Sequence, residues 1–288
     1  MPLPIAPPEG VVMLPKGTFD GKVVAITGGG TGLGKAFGRE FARLGAHVVV
    51  LSRNEAHRLK GVAAIEAVGG KASQYPLDVR DGAAVAAVFD AIEAEIGPID
   101  VFLNNAAGNF PVPAEDLSLN GFRTVLQIDL EGTFACSREF ARRALAAKRP
   151  GAILNIGSPT YHLGAPGFAH VGAAKAAIHN LTYSLAVEWA PYGIRVNTLV
   201  PGFFPHDDLP ADVYAANVGD SQGGNTPAQR LGLPHELAWA ATFLCSPFAS
   251  MVTGSIFHMD GAMSLAQGPR PQLFTPIREQ LGREPFEL

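Results

Sequence analysis

The chain of 288 residues is 47% hydrophobic and 17% charged, with 33 glycines and 23 prolines, a composition for a globular protein with a large buried core. Its formal net charge of −4 supplies no basic field of the kind that nucleic acid or an anionic membrane requires, so neither is an expected partner. The two cysteines, Cys136 and Cys245, stand far apart without metal-ligand spacing, which excludes a disulfide framework and a structural zinc; no metal is expected, and a reducing compartment is the natural setting.

Residues 1–20 read as a proline-rich leader, with five prolines in the first fifteen residues and no basic start followed by an apolar run, so it is not a signal peptide. No segment reaches the ~18 consecutive apolar residues of a membrane span, and the final Phe-Glu-Leu does not match a peroxisomal address. The expected location is the cytoplasm. From residue 21 to about 265, short β-branched runs alternate with alanine-rich helical stretches. KVVAIT (22–27) precedes a helix near 33–44, HVVVLS (47–52) a helix near 54–68, and ASQYPL a helix from Asp81. IDVFLNN (99–105) precedes a helix through 120–148, AILNIG (152–157) a helix over 168–190, and IRVNTLV (194–200) comes next. A helix near 234–246 and GSIFHMD (254–260) close the series. Continuous apolar strands separated by helices predict a sheet covered on both faces, linked by right-handed crossovers. The expected fold is α/β: a single doubly wound, Rossmann-like domain with a mainly parallel seven-stranded sheet. Polar, Pro/Gly-rich residues 201–230 are the expected lid, and residues 266–288 a C-terminal tail.

TGGGTGLGK, Thr27 to Lys35, joins the first strand to the first helix. It departs from G-x-G-x-x-G and fits T-G-x-x-x-G-x-G through Gly28, Gly32 and Gly34. Glycines there allow a tight turn and the close approach of a pyrophosphate to a helix N-terminus. Gly28, Gly30, Thr31, Gly32 and Leu33 are the candidate cofactor contacts of this turn. The second strand ends in Ser-Arg-Asn, without the acid that holds a ribose 2′-hydroxyl in NAD enzymes. Arg53, beside Asn54, suits a 2′-phosphate, with Lys35 as a second cation nearby, so the expected cofactor is NADPH.

TGGGTGLG, LDV (77–79), NNAAG (104–108), Lys175 with IRVN (194–197), and PG (201–202) together resemble the short-chain dehydrogenase/reductase superfamily, over Phe19 to about Met263. The resemblance implies that Asp78 and Val79 lie beside the adenine, Asn105 and Ala106 along the cofactor, and Lys175 on the nicotinamide ribose. Pro201 and Gly202 open a stretch that passes the carboxamide. Superfamily members commonly form tetramers through their long helices, and a homotetramer is expected here.

One turn before Lys175 stands Val171, where the superfamily carries the tyrosine that protonates substrate oxygen. Valine donates nothing, so ordinary ketone or alcohol chemistry lacks its acid. Three readings follow: the chain is not catalytic, another acid serves, or the proton goes to carbon. NNAAGNF (104–110), LSLNGF (117–122), IDLEGTF (128–134) and HVGAAKA (170–176) resemble the 2,4-dienoyl-CoA reductases, especially the peroxisomal type, in which that tyrosine is also absent. The resemblance implies NADPH-dependent reduction of a dienoyl-CoA to a 3-enoyl-CoA, with protonation at carbon through a held water.

It also implies roles for particular residues. Asp129 occupies the position of the superfamily's catalytic asparagine and is expected to pair with Lys175 and order the water. Tyr161 is a second candidate acid, offset by one from a tyrosine of the mitochondrial reductases. Ser158 has the spacing of the substrate-holding serine and can donate to the thioester oxygen. Arg53 and Arg80 are expected near coenzyme A phosphates, and Phe110, Ser118 and Asn120 beside the acyl or pantetheine part. His162 and His170 are of the residue type that serves as an acid near neutral pH, but His170 adjoins Val171 and points about 100° away on a regular helix, which makes it structural. The lid departs from the family: it holds Asp207, Asp208 and Asp212 and no Lys or Arg before Arg230, a charge balance that repels phosphates. Reduction of another activated alkene or carbonyl, and a non-catalytic NADP(H)-binding role, therefore stay open.

Overall fold

The structure, a computed structural model, describes residues 2–209, 211, 226–265 and 281–283. Seven strands form one sheet: β1 (Val23–Thr27), β2 (His47–Ser52), β3 (Lys71–Pro76), β4 (Ile99–Asn104), β5 (Gly151–Ile156), β6 (Ile194–Pro201) and β7 (Ile256–Met259). Their order is β3-β2-β1-β4-β5-β6-β7, and every pair is parallel. The helices are α1 (Gly32–Arg43), α2 (Glu55–Glu66), α3 (Gly82–Glu95), α4 (Leu119–Leu126), α5 (Gly132–Ala146), α6 (Ala169–Trp189) and α7 (Pro234–Cys245).

The central strands are apolar on both faces because both are covered. Val24, Ile26, Val48 and Leu103 pack with Phe37 and Phe41 of α1 and Leu237 and Leu244 of α7. Ala25, Val49, Phe102 and Ile153 pack on the other side with Phe89 of α3, Phe140 of α5 and Leu185 of α6. Both cysteines are buried free thiols, and burial pushes each up to about 12. The doubly wound, Rossmann-like domain is thus as expected, with a described sheet that is wholly parallel.

The strand order reverses between β1 and β4, so the loops leaving their C-terminal ends diverge and open a crevice. Beneath it, Asn104 Nδ2 donates to Ser137 Oγ (2.9 Å) and Asn155 Oδ1 (2.8 Å), and Asn155 Nδ2 donates to Thr182 Oγ1 (2.9 Å). These buried amides tie β4 and β5 to α5 and α6, the helices flanking the crevice.

Two expectations are refined. The helix expected through 120–148 is interrupted by a π-turn at Gln127–Glu131, which carries Asp129. The leader lies against the domain. Leu3 N–H donates to the Ala228 carbonyl (2.9 Å), Glu9 pairs with Arg39 (2.7 Å) and Arg43 (3.0 Å), and Phe19 packs edge-on against Phe41. Of the expected lid, residues 210 and 212–225 lie outside the described residues, as do 266–280 and 284–288 of the tail. Among the described residues, no helix is long and apolar enough to cross a membrane.

Candidate active site

A cavity of about 580 Å³ opens at the C-terminal ends of β1, β2, β4 and β5. It is lined by Gly28, Thr31, Gly32, Leu33, Arg53, Asp78, Val79, Asn105, Ala106, Asp129, Ser158, Val171, Lys175 and Pro201. Most of the expected cofactor and catalytic positions thus share one space. Gly30, Asn54, Gly202, Tyr161, Arg80, Phe110, Ser118 and Asn120 are not in its wall.

The glycine turn is shaped for close approach. Gly28 sits at φ +65°, and a Cβ on Gly34 would meet the Gly28 carbonyl oxygen at 2.3 Å, so the helix can start tightly under the strand end only without side chains there. Thr31 leaves the start of α1 without a side-chain cap. Amides at a helix start that its own N-cap residue leaves free, facing a cavity of this size, fit a dinucleotide's diphosphate. Gly30 has a packing role: a Cβ there would lie 2.0 Å from the His57 carbonyl oxygen. Asn105 braces the turn, donating from Nδ2 to the Thr27 (2.9 Å) and Gly28 (3.2 Å) carbonyls.

At the β2 end, Asp78 receives a forked pair of bonds from Arg80, at 2.9 Å from Nε and 2.6 Å from Nη2. The Arg80 hydrogen bonds hold the Asp78 carboxyl down at about 2. Arg80 is therefore engaged by Asp78, whereas Arg53 stands 3.7 Å from it with a 61% exposed side chain facing the cavity. Lys35 does not join Arg53: its ammonium pairs with Asp207 (2.7 Å) and Asp208 (2.9 Å). The expected second cation for a 2′-phosphate is corrected on that geometry. Asn54 caps α2, accepting from His57 N–H at 3.3 Å. Gly202 packs against Asp260, whose Cα a Cβ would meet at 2.6 Å.

Asp129 and Lys175 form a buried charged pair in the cavity wall. Asp129 is 1% exposed; Oδ1 accepts from Gly108 N–H at 2.7 Å and Oδ2 lies 3.3 Å from Lys175 Nζ. Lys175 Nζ also donates to the Ile156 carbonyl (2.9 Å). The π-turn is what turns Asp129 inward from between α4 and α5. Asp129 Oδ2 has no hydrogen-bond partner, which leaves an acceptor open beside an ammonium.

Val171 completes the wall one turn before Lys175. Ser158 Oγ accepts from Thr160 Oγ1 (3.0 Å) and Thr160 N–H (3.4 Å), so its own proton is left to donate into the cavity. Tyr161 points elsewhere. Its hydroxyl bonds His258 Nε2 on β7 at 3.2 Å, and its ring lies 3.8 Å from that of His179. Burial raises the phenol pKa, the opposite of what a proton donor at neutral pH needs. Tyr161→Phe is expected to change kcat by about fivefold or less, the worth of one hydrogen bond; steady-state kinetics of the variant beside the wild type check this.

His170 is fully buried against Phe110, ring centroids 4.6 Å apart, consistent with a structural role. Ser118 caps α4, accepting from Gly121 N–H at 3.0 Å, and Asn120 lies in the first turn of that helix. Burial lowers His179 to about 4, with His258 and Lys175 adding to the effect.

Sequence reasoning missed a contact at the glycine turn. Asp208 Oδ2 accepts from Gly32 N–H at 2.9 Å, and Asp208 also pairs with Lys35 and Lys60. Burial would raise this carboxyl, but the Lys60 bond, the Gly32 amide and Lys35 outweigh it and hold it far below the usual range. The acidic pair was visible in the sequence, whereas partners 148 and 176 residues away were not.

Residues 28–264 match the profile of a family described as enoyl-(acyl carrier protein) reductase. A Bacillus subtilis protein named "Probable 2,4-dienoyl-CoA reductase", (2E)-enoyl-CoA-producing, is 40% identical over 252 residues, covering 86% of this chain and 98% of the relative. The peroxisomal 2,4-dienoyl-CoA reductase of Pongo abelii, (3E)-enoyl-CoA-producing, is 38% identical over 83% of this chain and 82% of its own. Among solved structures, a short chain dehydrogenase from Bacillus anthracis superposes with a TM-score of 0.79 at 37% identity, covering 86% of this chain and 99% of that one.

Proposed function

Because the chain belongs to the short-chain dehydrogenase/reductase superfamily, and is therefore an oxidoreductase, we propose that it uses NADPH to saturate a conjugated carbon–carbon bond, converting a 2,4-dienoyl-CoA to a 3-enoyl-CoA. The observation that carries this reading is Val171 in the wall beside a buried Asp129–Lys175 pair. No phenol stands there to protonate an alkoxide, yet a carboxylate and an ammonium are set where a water can be held. The names of two relatives support the substrate class.

NADPH, when bound, supplies the hydride, which adds at the distal carbon of the diene. The glycine turn, Val79, Asn105, Arg53 and Lys175 would hold it. The electron pair displaced along the diene rests on the thioester oxygen, which needs donors rather than a permanent proton. Ser158 offers its free O–H. Asp129 Oδ2 accepts from a water kept beside Lys175 Nζ, and that water delivers its proton to carbon; solvent restores it. Atoms and charge balance: one hydride and one proton are added across the diene.

The decisive experiment follows NADPH oxidation with a medium-chain 2,4-dienoyl-CoA and locates the double bond in the product. A 3-enoyl product bears the proposal out. A 2-enoyl product, the kind in the name of the Bacillus subtilis relative, keeps the alkene chemistry and moves the proton to a different carbon. Turnover of plain ketones with none of dienoyl-CoA or simple enones refutes it, and tight NADPH binding without any turnover favours the non-catalytic role. Exposed Phe134 on α5 and Tyr183 and Val187 on α6 support assembly through the long helices, which light scattering tests as a tetramer.

A further inference from the structure

We propose that Lys35 and Lys60 are ligands of the cofactor's diphosphate, and that Asp208 competes with that anion for the same amide and ammonium groups. The inference rests on the reading that NADP(H) is the cofactor, and it adds two residues and a competitor to the binding site.

The geometry is that of an anion cradle with an anion in it. Gly32 is the first residue of α1, and its N–H donates to Asp208 Oδ2 at 2.9 Å. Lys35, one turn into the same helix and with a side chain only 9% exposed, brings Nζ to 2.9 Å from that oxygen. Lys60 reaches across from α2 and bonds the other oxygen, Oδ1. One carboxylate thus receives a helix-start amide and two ammonium groups. Asp207 binds Lys35 from outside and is 68% exposed. His206 faces Gly32 from the same segment: a Cβ on Gly32 would meet its Nε2 at 3.0 Å, and its Nδ1 is buried without a partner. Gly32 and His206 also line the 580 Å³ cavity, so the cradle opens onto the space the cofactor is to enter.

A carboxylate and a phosphate oxygen cannot share the Gly32 amide. With Asp208 in place, the two lysines and two aspartates sum to zero charge, and a diphosphate entering beside them meets a carboxylate in its path. With Asp208 swung out toward water, the same amide and two cations face the diphosphate. Lys60 is the telling residue. It sits on the exposed face of α2, 47% exposed at the side chain, and its chain extends to the start of another helix, where its partner is an acid of the segment after β6.

Isothermal titration of the full-length protein tests this with NADPH, with inorganic pyrophosphate, and with 2′-AMP, which offers a 2′-phosphate to Arg53 but carries no diphosphate. Asp208→Ala is expected to tighten NADPH and pyrophosphate about tenfold, the worth of one competing charge-assisted contact, and to leave 2′-AMP unchanged; Asp208→Asn follows in the same direction. In the Asp208→Ala background, Lys60→Gln is expected to reverse the gain, by about tenfold. Weaker NADPH binding by Asp208→Ala makes the carboxylate part of the bound state and overturns the proposal. So does an unchanged affinity, or an equal gain for 2′-AMP. A wild-type protein that binds NADH, but not NADPH, overturns the cofactor reading while the Asp208 and Lys60 effects, read with NADH and pyrophosphate, still decide this one.

Discussion

Replacing Asp129 with alanine is expected to cut kcat for dienoyl thioester reduction about 10²–10³-fold, within the usual worth of a positioned acid–base group, while the NADPH dissociation constant stays within about twofold. On the proposed mechanism Asp129 acts on a water, not on the cofactor. Its Oδ1 is used up by the Gly108 amide and only Oδ2 is open, so the loss appears in kcat and equally in kcat/KM, the signature of an interaction made only in the transition state. Alanine also leaves Lys175 buried beside the Ile156 carbonyl without its counter-charge, and breaking a buried pair costs about 3–5 kcal/mol of stability. Asp129→Asn separates the two effects, because an amide oxygen still accepts from Gly108 N–H. The asparagine variant keeps that acceptor but not the counter-charge of Lys175, so it should melt above the alanine variant and below wild type, and remain as slow as alanine. Paired with Lys175→Met, the losses should not add: if both side chains hold one water, the double variant is no slower than the slower single one. Full additivity would mean that the two act separately, and wild-type kcat in Asp129→Asn would remove the carboxylate from the mechanism.

What was legible beforehand follows from how local each signal is. VVAIT, HVVVLS and IRVNTLV are runs of β-branched residues bounded by turns, and each forms a strand where its composition says it should. TGGGTGLGK announces its turn because only glycine permits the backbone approach seen at Gly28 and Gly34. The π-turn at Gln127–Glu131 carries no such mark. QIDLE holds neither Gly nor Pro and continues a helical spacing, and the extra backbone residue is stabilised by what Asp129 meets inside, Gly108 and Lys175, which no local pattern encodes. Tyr161 shows the same limit from the other side. Its place in the chain suited a proton donor, whereas its hydroxyl is claimed by His258 of β7. Lys35 read as a partner for Arg53 because both flank the same turn, but an acidic pair from the segment after β6 claims its ammonium.

Arg53→Ala is expected to weaken NADPH by about 10–100-fold, the range of a lost charge-assisted contact to phosphate, and to leave NADH within about threefold. The argument turns on how the arginines of this corner are occupied. Arg80 gives its fork to Asp78 and is spent on it, while Arg53 touches the same carboxylate only at 3.7 Å and keeps its guanidinium toward the cavity. Asp78, held ionised at about 2 by Arg80, cannot take the role of an acid on a 2′-hydroxyl without first losing that partner, so the site offers a cation and no free acceptor. The side chain is 61% exposed, so screening sets the effect toward the lower end of the range at physiological salt and enlarges it at low salt. Arg80→Ala is the informative control: by freeing Asp78 it should improve NADH relative to NADPH, with a smaller loss for NADPH itself. Paired initial-rate measurements with both cofactors at two salt concentrations decide the matter. Equal losses for NADH and NADPH in Arg53→Ala would show that Arg53 shapes the adenine end through Asp78 and does not read the 2′-phosphate.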